Sequence, residues 1–416
     1  MVNKPLQIVV IGGGAAGFFG AITCATSHPQ ARVLLLEAGR TPLAKVRISG
    51  GGRCNVTHHC FDPALLVQQY PRGGKALRGA FSRFQPQDTI AWFARRGVKL
   101  KTEADGRMFP VTDNSETIVN CLLKAAADAG VILRTGAKVE KIQNEEAGFT
   151  IQLKDGETLE CNRVLLATGS NPHAYQWAKE LGHTIIPPVP SLFTFNINDA
   201  RLKDLAGASV ETVHLRLLET GKEKIEQIGP LLITHWGLSG PAVLKLSAWG
   251  ARILRDRNYQ MSLQINWLPP HTPETLRQLL LDYKAQFPKR SLAAHCPVSL
   301  PKRLWQRFVF SLGINSETTW AELSKKALTA LVEELTRGRY AITGKGTFKE
   351  EFVTCGGIDL KEVNFKTMES RKCPALYFAG EILDIDGVTG GFNFQSAWTT
   401  GWIAGQSNAL PNKVVH

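Results

Sequence analysis

The sequence predicts an α/β fold in which the two ends of the chain share one sheet around a nucleotide site, with a β-rich and helical region inserted between them. Three features predict it. The apolar residues 8–11 feed directly into Gly12-Gly13-Gly14-Ala15-Ala16-Gly17, a G-x-G-x-x-G turn followed by small residues at helical spacing. A second strand-like run, residues 32–36, ends at Glu37, twenty residues beyond Gly17. Near the other end, a strand-like run at 375–379 closes on Gly380-Glu381, and Gly390-Gly391 leads another small-residue helix.

Each element has a physical reason. Gly12 makes the tight turn, Gly14 lets the backbone approach a pyrophosphate, and Gly17 lets helix and strand pack closely. The helix N-terminus offers N–H groups and a positive dipole end to the phosphates. Glu37 stands where a carboxylate accepts hydrogen bonds from ribose hydroxyls. Lys4 before the apolar run resembles the start of a signal peptide, but glycines at 12, 13, 14, 17 and 20 leave little continuous apolar stretch. No run of eighteen apolar residues is present, so no membrane span is expected. Eight scattered cysteines contain no C-x-x-C, which argues against zinc ribbons and thioredoxin-like dithiols and for a reducing, cytoplasmic setting.

After Glu37 comes Lys45, then Ser49-Gly50-Gly51-Gly52-Arg53-Cys54-Asn55. This loop has little side-chain bulk, so its amides can lie against a flat or phosphate-bearing ligand while Lys45 and Arg53 neutralise charge. Residues 80–96 have helical spacing divided by Pro86, with Phe81, Phe84, Ile90, Trp92 and Phe93 as core positions. Residues 103–110 are turn-rich. Ser115 is expected to cap a helix that runs to about residue 129 and stops at Gly130. Runs at 131–134, 137–142, 149–153 and 158–160 read as an antiparallel meander. The strand 163–166 ends in Ala167-Thr168-Gly169, small enough to pass beside a dinucleotide.

Pro187-Pro188-Val189-Pro190 reads as a stiff break and a domain boundary. The expected organisation is a first α/β part at 1–190, a β-rich domain at 191–270, a helical module at 271–344, and a second α/β part at 345–416. Strands are expected at 192–197, 210–218, 231–234 and 261–267, with a helix at 242–249. Helix starts are expected near Pro273, Ser299, Pro301 and Ser316. In the β-rich part His235 is the histidine beside a glycine-containing turn, which makes it the candidate acid or base.

The net charge of +13 is concentrated. Residues 40–101 hold twelve Lys/Arg against two acids, and residues 282–349 hold twelve against five. Such surfaces suit an anionic partner such as nucleic acid, NADPH or an acidic substrate, and equally a solvated basic face. No recognisable nucleic-acid-binding module accompanies them, so a nucleic-acid partner stands second to a small-molecule substrate.

Together these motifs resemble the family of FAD-dependent oxidoreductases that includes aminoacetone-oxidase-like and BaiN-like flavoproteins. The matching segments are 12–17 with Glu37, Lys45 with 49–55, 103–110, 167–169, 234–241, 354–358, 367–370, 380–386 and 390–395. Ser-Gly-Gly-Gly-Arg-Cys-Asn with Gly-Gly-Phe-Asn-Phe-Gln is the specific pair. The resemblance implies a two-dinucleotide-type, FAD-binding Rossmann-like fold and tightly bound FAD. By position, Gly12, Gly14, Ala16 and Gly17 would hold the pyrophosphate and Glu37 the adenosine ribose, with Val139 meeting the adenine through its backbone. Lys45, Arg53 and Cys54 would line the flavin side, and Thr168 and Gly169 would pass beside the cofactor. Gly380, Glu381, Asp386, Gly391, Asn393 and Phe394 would hold the ribityl chain and flavin. One departure is Ser170-Asn171-Pro172-His173, where many relatives carry a second glycine and a longer glycine-rich segment.

The implied activity is hydride transfer between a small organic substrate or NAD(P)H and an acceptor, through FAD. No second G-x-G-x-x-G lies in the inserted region, so NAD(P)H is expected as a transient reductant. The alternatives are a flavin-containing RNA-binding or RNA-modifying protein, and a dithiol enzyme using Cys54 and Cys60. The Cys54–Cys60 spacing fits neither C-x-x-C nor the C-x-x-x-x-C of flavin disulfide reductases.

Overall fold

The computed structural model describes residues 5–221, 223–346 and 353–408. They form two compact units, one from the residues up to Pro188 together with those from Val353 on, the other from Val189–Phe352.

The first unit is built on a seven-stranded sheet. Its strands lie in the order Val363–Asn364, Glu369–Ser370, Leu376–Phe378, Arg163–Leu166, Gln7–Ile11, Arg32–Glu37, Ile132–Thr135. The central pairs are parallel, with Ile8 to Ile11 opposite Arg163 to Leu166 and Val164 to Leu166 opposite Leu376 to Phe378. The C-terminal segment therefore completes the N-terminal sheet, as the expected architecture requires. Near-continuous apolar sequence in these strands suits a parallel sheet covered on both faces.

The run at 131–134 departs from the expected meander. Ile132–Thr135 pairs in parallel with Arg32–Glu37, because the helix Glu116–Asp128 supplies the crossover that a parallel pair needs. Only Val139–Glu145, Gly148–Leu153 and Thr158–Cys161 form the antiparallel meander. Ser115 sits at the N-cap position of Glu116–Asp128 but does not cap it. Its hydroxyl is drawn away to donate to the Arg47 carbonyl at 2.8 Å. Pro86 does divide its region, into helices Gly74–Phe81 and Pro86–Ala94. Pro187 and Pro188 lie within a strand, Ile185–Ser191, that forms a two-stranded sheet with Val353–Ile358; the chain is extended there, and the division between the units falls between Pro188 and Val189.

The second unit carries a seven-stranded sheet in the order Gly338–Ile342, Met261–Asn266, Ser209–Leu217, Glu226–Ile233, Gly237–Ser239, Phe195–Asn196, Gly344–Lys345. The helices Pro273–Gln286, Lys302–Ser311 and Lys325–Arg337 contribute Leu276, Trp305, Phe308 and Leu331 to the same core as the sheet's Leu215, Leu263 and Ile265. The last helix starts at Ser324, whose hydroxyl accepts from Ala327 N at 3.1 Å, and not near Ser316. Arg201 ties its elements together. It pairs with Asp199 at 2.6 Å and Glu334 at 2.5 Å and lies 3.9 Å over the Tyr340 ring. Among the described residues no helix is long and apolar enough to cross a membrane, and no cluster of His, Cys, Asp and Glu could hold a metal.

In the first unit, the helices Ala15–Ser27 and Phe392–Ser407 meet through glycines. A Cβ on Gly401 would stand 2.6 Å from the Ala16 carbonyl oxygen, and one on Gly405 would stand 2.5 Å from that of Gly20. Gly to Ala inside a helix normally stabilises by about 1 kcal/mol. Here overpacking against backbone outweighs that gain. We predict that Gly401→Ala lowers the unfolding free energy by about 2 kcal/mol in urea titration; a more stable variant would contradict the close approach.

Candidate functional site

The site begins where the strand Gln7–Ile11 turns into the helix Ala15–Ser27. Gly12 has φ +110°, and a Cβ there would lie 2.4 Å from the Ala167 carbonyl oxygen. Its N–H donates to Leu36 O at 2.8 Å, which holds the turn to the neighbouring strand. At Gly17 a Cβ would lie 1.8 Å from Gly12 O, so helix and turn touch backbone to backbone. Gly14 is different: a Cβ there would meet nothing within 4 Å. The first intrahelical bond runs from Phe18 N to Gly14 O at 3.0 Å, so the amides of Ala15, Ala16 and Gly17 precede the ladder. Open space before a helix N-terminus with those amides fits a pyrophosphate.

Glu37 ends the neighbouring strand, half-buried, and accepts from Gly13 N at 2.7 Å and Gly39 N at 2.6 Å. Each carboxylate oxygen keeps a second lone pair for a ribose hydroxyl. Ala137 N donates to Glu37 O and Gly136 N to Gly39 O, both at 2.9 Å. These bonds deliver the strand that Val139 opens to the same end of the sheet.

On the other side, Ala167 N donates to Ile11 O, and Gly169 follows with φ +62°. A Cβ on Gly169 would be 3.6 Å from Glu381 Oε2. That oxygen pairs with Lys45 Nζ at 2.7 Å, while Glu381 Oε1 accepts from Thr354 N at 2.8 Å. Lys45, Gly169, Thr354 and Glu381 are thus one cluster, drawn from four distant stretches of sequence. Gly380, at φ +76°, leads into it and is fixed by its N–H to Thr400 Oγ1 at 2.9 Å. A Cβ on Gly380 would be 2.8 Å from Ala16 Cβ, so the two halves of the cradle abut.

In the loop at 49–55, Arg53 lies 4.0 Å over the Phe109 ring and pairs with Glu103 at 2.6 Å. The hydrogen bond that Arg53 donates to Glu103 raises the Arg53 pKa further. Cys54 is fully buried at φ +61°, and burial pushes its thiol up to about 12. It shapes the loop from behind and presents no surface to a cofactor, which also removes a Cys54–Cys60 dithiol chemistry at neutral pH.

The C-terminal motif is similarly inward. Gly391, at φ +90°, begins the Phe392–Ser407 helix, and a Cβ there would be 2.5 Å from Thr57 O. Asn393 clamps Gly387 through both its amide atoms, each at 2.8 Å, so its side chain holds the loop. Phe394 stacks on Trp398 with centroids 5.6 Å apart. Asp386 is fully buried and engaged bidentately by Arg72. Any contact these residues make with a ribityl chain would come from backbone, because the Asn393 and Asp386 side chains are committed within the protein.

Two parts of this support were given no role by the sequence, although Gln395 closes the Gly-Gly-Phe-Asn-Phe-Gln motif. Arg72 was one basic residue among many, and nothing in its spacing marked Asp386 as its partner. Gln395, fully buried, accepts from Thr57 Oγ1 at 2.6 Å and Thr89 Oγ1 at 2.9 Å and donates to Thr399 Oγ1 at 3.1 Å. That network joins the helix N-terminus to two distant segments. His235, the candidate acid, lies exposed in the second unit, in the turn between Glu226–Ile233 and Gly237–Ser239.

Removing one member of a buried ion pair strands the other's charge and costs about 3–5 kcal/mol. Arg72→Ala should lose that much stability in urea titration. Replacing the pair together, Arg72→Met with Asp386→Leu, should recover most of it. Equal losses in the single and double variants would show that the pair itself carries no such penalty.

The chain matches the HI0933-like protein Rossmann domain over residues 6–407. It is 34% identical to the ribosomal RNA dihydrouridine synthase of Escherichia coli, across 96% of both chains. It is 29% identical to the 3-dehydro-bile acid delta(4,6)-reductase of Clostridium scindens, across 97% of this chain and 99% of that one. Among solved structures, the 3-ketosteroid-delta4-(5alpha)-dehydrogenase from Rhodococcus jostii superposes with a TM-score of 0.51 at 14% identity, over 99% of this chain and 98% of that one, which is a likeness of fold. With open space before the Ala15–Ser27 helix and a closed, glycine-led support at Gly391, the chain belongs to the HI0933-like Rossmann family of FAD-dependent oxidoreductases.

Proposed function

We propose that this protein is an FAD-dependent reductase that saturates a carbon–carbon double bond conjugated to a carbonyl, and that its substrate is a uridine in ribosomal RNA. The observation that carries the reading is the pair of relatives. A dihydrouridine synthase saturates the uracil C5=C6 bond beside a carbonyl, and a delta(4,6)-reductase acts on double bonds of a 3-dehydro steroid. The substrates differ and the bond class is shared. The greater identity to the RNA enzyme, with a net charge of +13, supports RNA over a free small molecule. A conjugated steroid-like acid is the second reading, supported by the bile-acid relative.

Bound FAD would supply the hydride, with NAD(P)H as its transient reductant. The protein's own residues position and neutralise. The Ala15, Ala16 and Gly17 amides would hold the pyrophosphate and Glu37 the ribose. Lys45, paired with Glu381, and Arg53, paired with Glu103, would offer their remaining N–H groups on the flavin side. In this reading residues 1–190 and 345–416 hold the cofactor, and residues 191–270 and 271–344 serve the substrate. The proton that completes saturation would come from solvent or a protein acid.

The test is direct. The purified protein with FAD and NADPH is incubated in parallel with unmodified ribosomal RNA and with a steroid 4,6-dien-3-one. Nuclease digests are then read by mass spectrometry for reduced uridine. The reading predicts reduced uridine, formed only when NADPH is present. Reduction of the dienone alone would establish the second reading, and reduction of neither would overturn both.

A further inference from the structure

In the second unit, the strand Ser209–Leu217 alternates from Val213 on, beyond a register shift at 210–213, and the adjacent strand Met261–Asn266 alternates throughout. Val213, Leu215, Leu217, Leu263 and Ile265 are buried in the core. His214, Arg216, Gln264 and Asn266 therefore project from the opposite face, each partly exposed. The register sets His214 opposite Asn266 and Arg216 opposite Gln264. The turn carrying His271 and Thr272 and the end of the Lys325–Arg337 helix wall this patch into a cavity of about 300 Å³.

Donors dominate the lining. Arg216 and Arg337 carry fixed charge, and His214, His271, Gln264 and Asn266 add N–H groups. Three carboxylates stand nearby, Glu226, Glu333 and Glu274, the last close enough to Arg337 for the two charges to interact. Glu226 is the register neighbour of Arg216 on its other side, yet its Oε2 lies 3.4 Å from His214 Nε2. Glu333 lies 3.9 Å from Arg337. Among the described residues the Arg216 guanidinium has no hydrogen bond or ion pair, although it is half-buried. The nearby helix N-terminus adds little, because a Thr272–Thr275 capping box occupies its first turn. The positive potential of the cavity comes from side chains.

The geometry points to a binding site for a phosphate group, supplied either by a soluble nucleotide or by an RNA backbone. A guanidinium fork matches two phosphate oxygens at once. The remaining lining donors suit an anion that offers further acceptor oxygens, which a carboxylate lacks. A cavity of this size also admits the attached sugar. The site lies apart from the glycine-rich cradle in sequence and in unit, and it does not depend on which double bond is reduced.

The test uses the FAD-loaded full chain. Inorganic phosphate and 5′-AMP are titrated by calorimetry, and a labelled single-stranded RNA 20-mer is followed by anisotropy across a salt series. Arg216→Ala should weaken binding at least tenfold, with Arg216→Lys intermediate and Gln264→Ala milder. Flavin content and NADPH-driven flavin reduction should be unchanged in all three. If the loss appears with RNA, together with a log–log salt slope shallower by about 0.7, the phosphate belongs to an RNA backbone. If it appears with phosphate and 5′-AMP but not with RNA, the ligand is a soluble nucleotide. Unaltered binding of every probe by Arg216→Ala, or no binding of any by the parent protein, overturns the site.

Discussion

The first unit depends on backbone lying against backbone at its centre. The Gly12 turn sits against the Ala167 carbonyl, Gly17 sits against Gly12, and Gly401 and Gly405 sit against the Ala15–Ser27 helix. At each of these contacts a single added carbon would collide with a main-chain atom. The arrangement fixes where the helix N-terminus points, and that direction leaves its first amides beside the open space at Gly14. It also explains why the C-terminal segment returns to the N-terminal sheet: its small-residue helix is the complementary surface.

The two ends of the cradle do different work. At the Gly14 end the structure is open, with amides ahead of the helical ladder and lone pairs left on Glu37. At the Gly391 end it is closed, with Asp386, Asn393 and Gln395 all bonded within the protein. A closed end of this kind holds a rigid surface and leaves backbone to make contact. The Lys45–Glu381–Thr354 cluster lies between them as the polar group whose charges remain partly exposed.

Much of this was legible in the chain. Gly12, Gly17 and Glu37 are legible because each meets a geometric demand that few residue types satisfy, whereas Gly14 leaves open space before the helix. The sharing of one sheet by both ends was legible from two glycine-led helices following two buried strands. Less legible were features set by tertiary competition. Ser115 has the right type and place for a cap, but the Arg47 carbonyl takes its hydroxyl. The 131–134 run looks like part of a meander until the helix before it is seen as a crossover. Cys54 stands in a loop that looks open, and only packing shows its thiol turned inward. The Arg72–Asp386 pair spans 314 residues and leaves no local signature. In the inserted region the strand-like runs were legible, while the donor-rich face emerged only once register placed Arg216 opposite Gln264.

The central claim is that the open cradle at Gly12–Gly17 and Glu37 holds FAD. Its most direct test is the spectrum and stoichiometry of the purified protein after FAD reconstitution. The account predicts a yellow protein that releases one FAD per chain on denaturation and retains much less when Glu37 is replaced by Ala. A colourless parent protein that retains no flavin would contradict it.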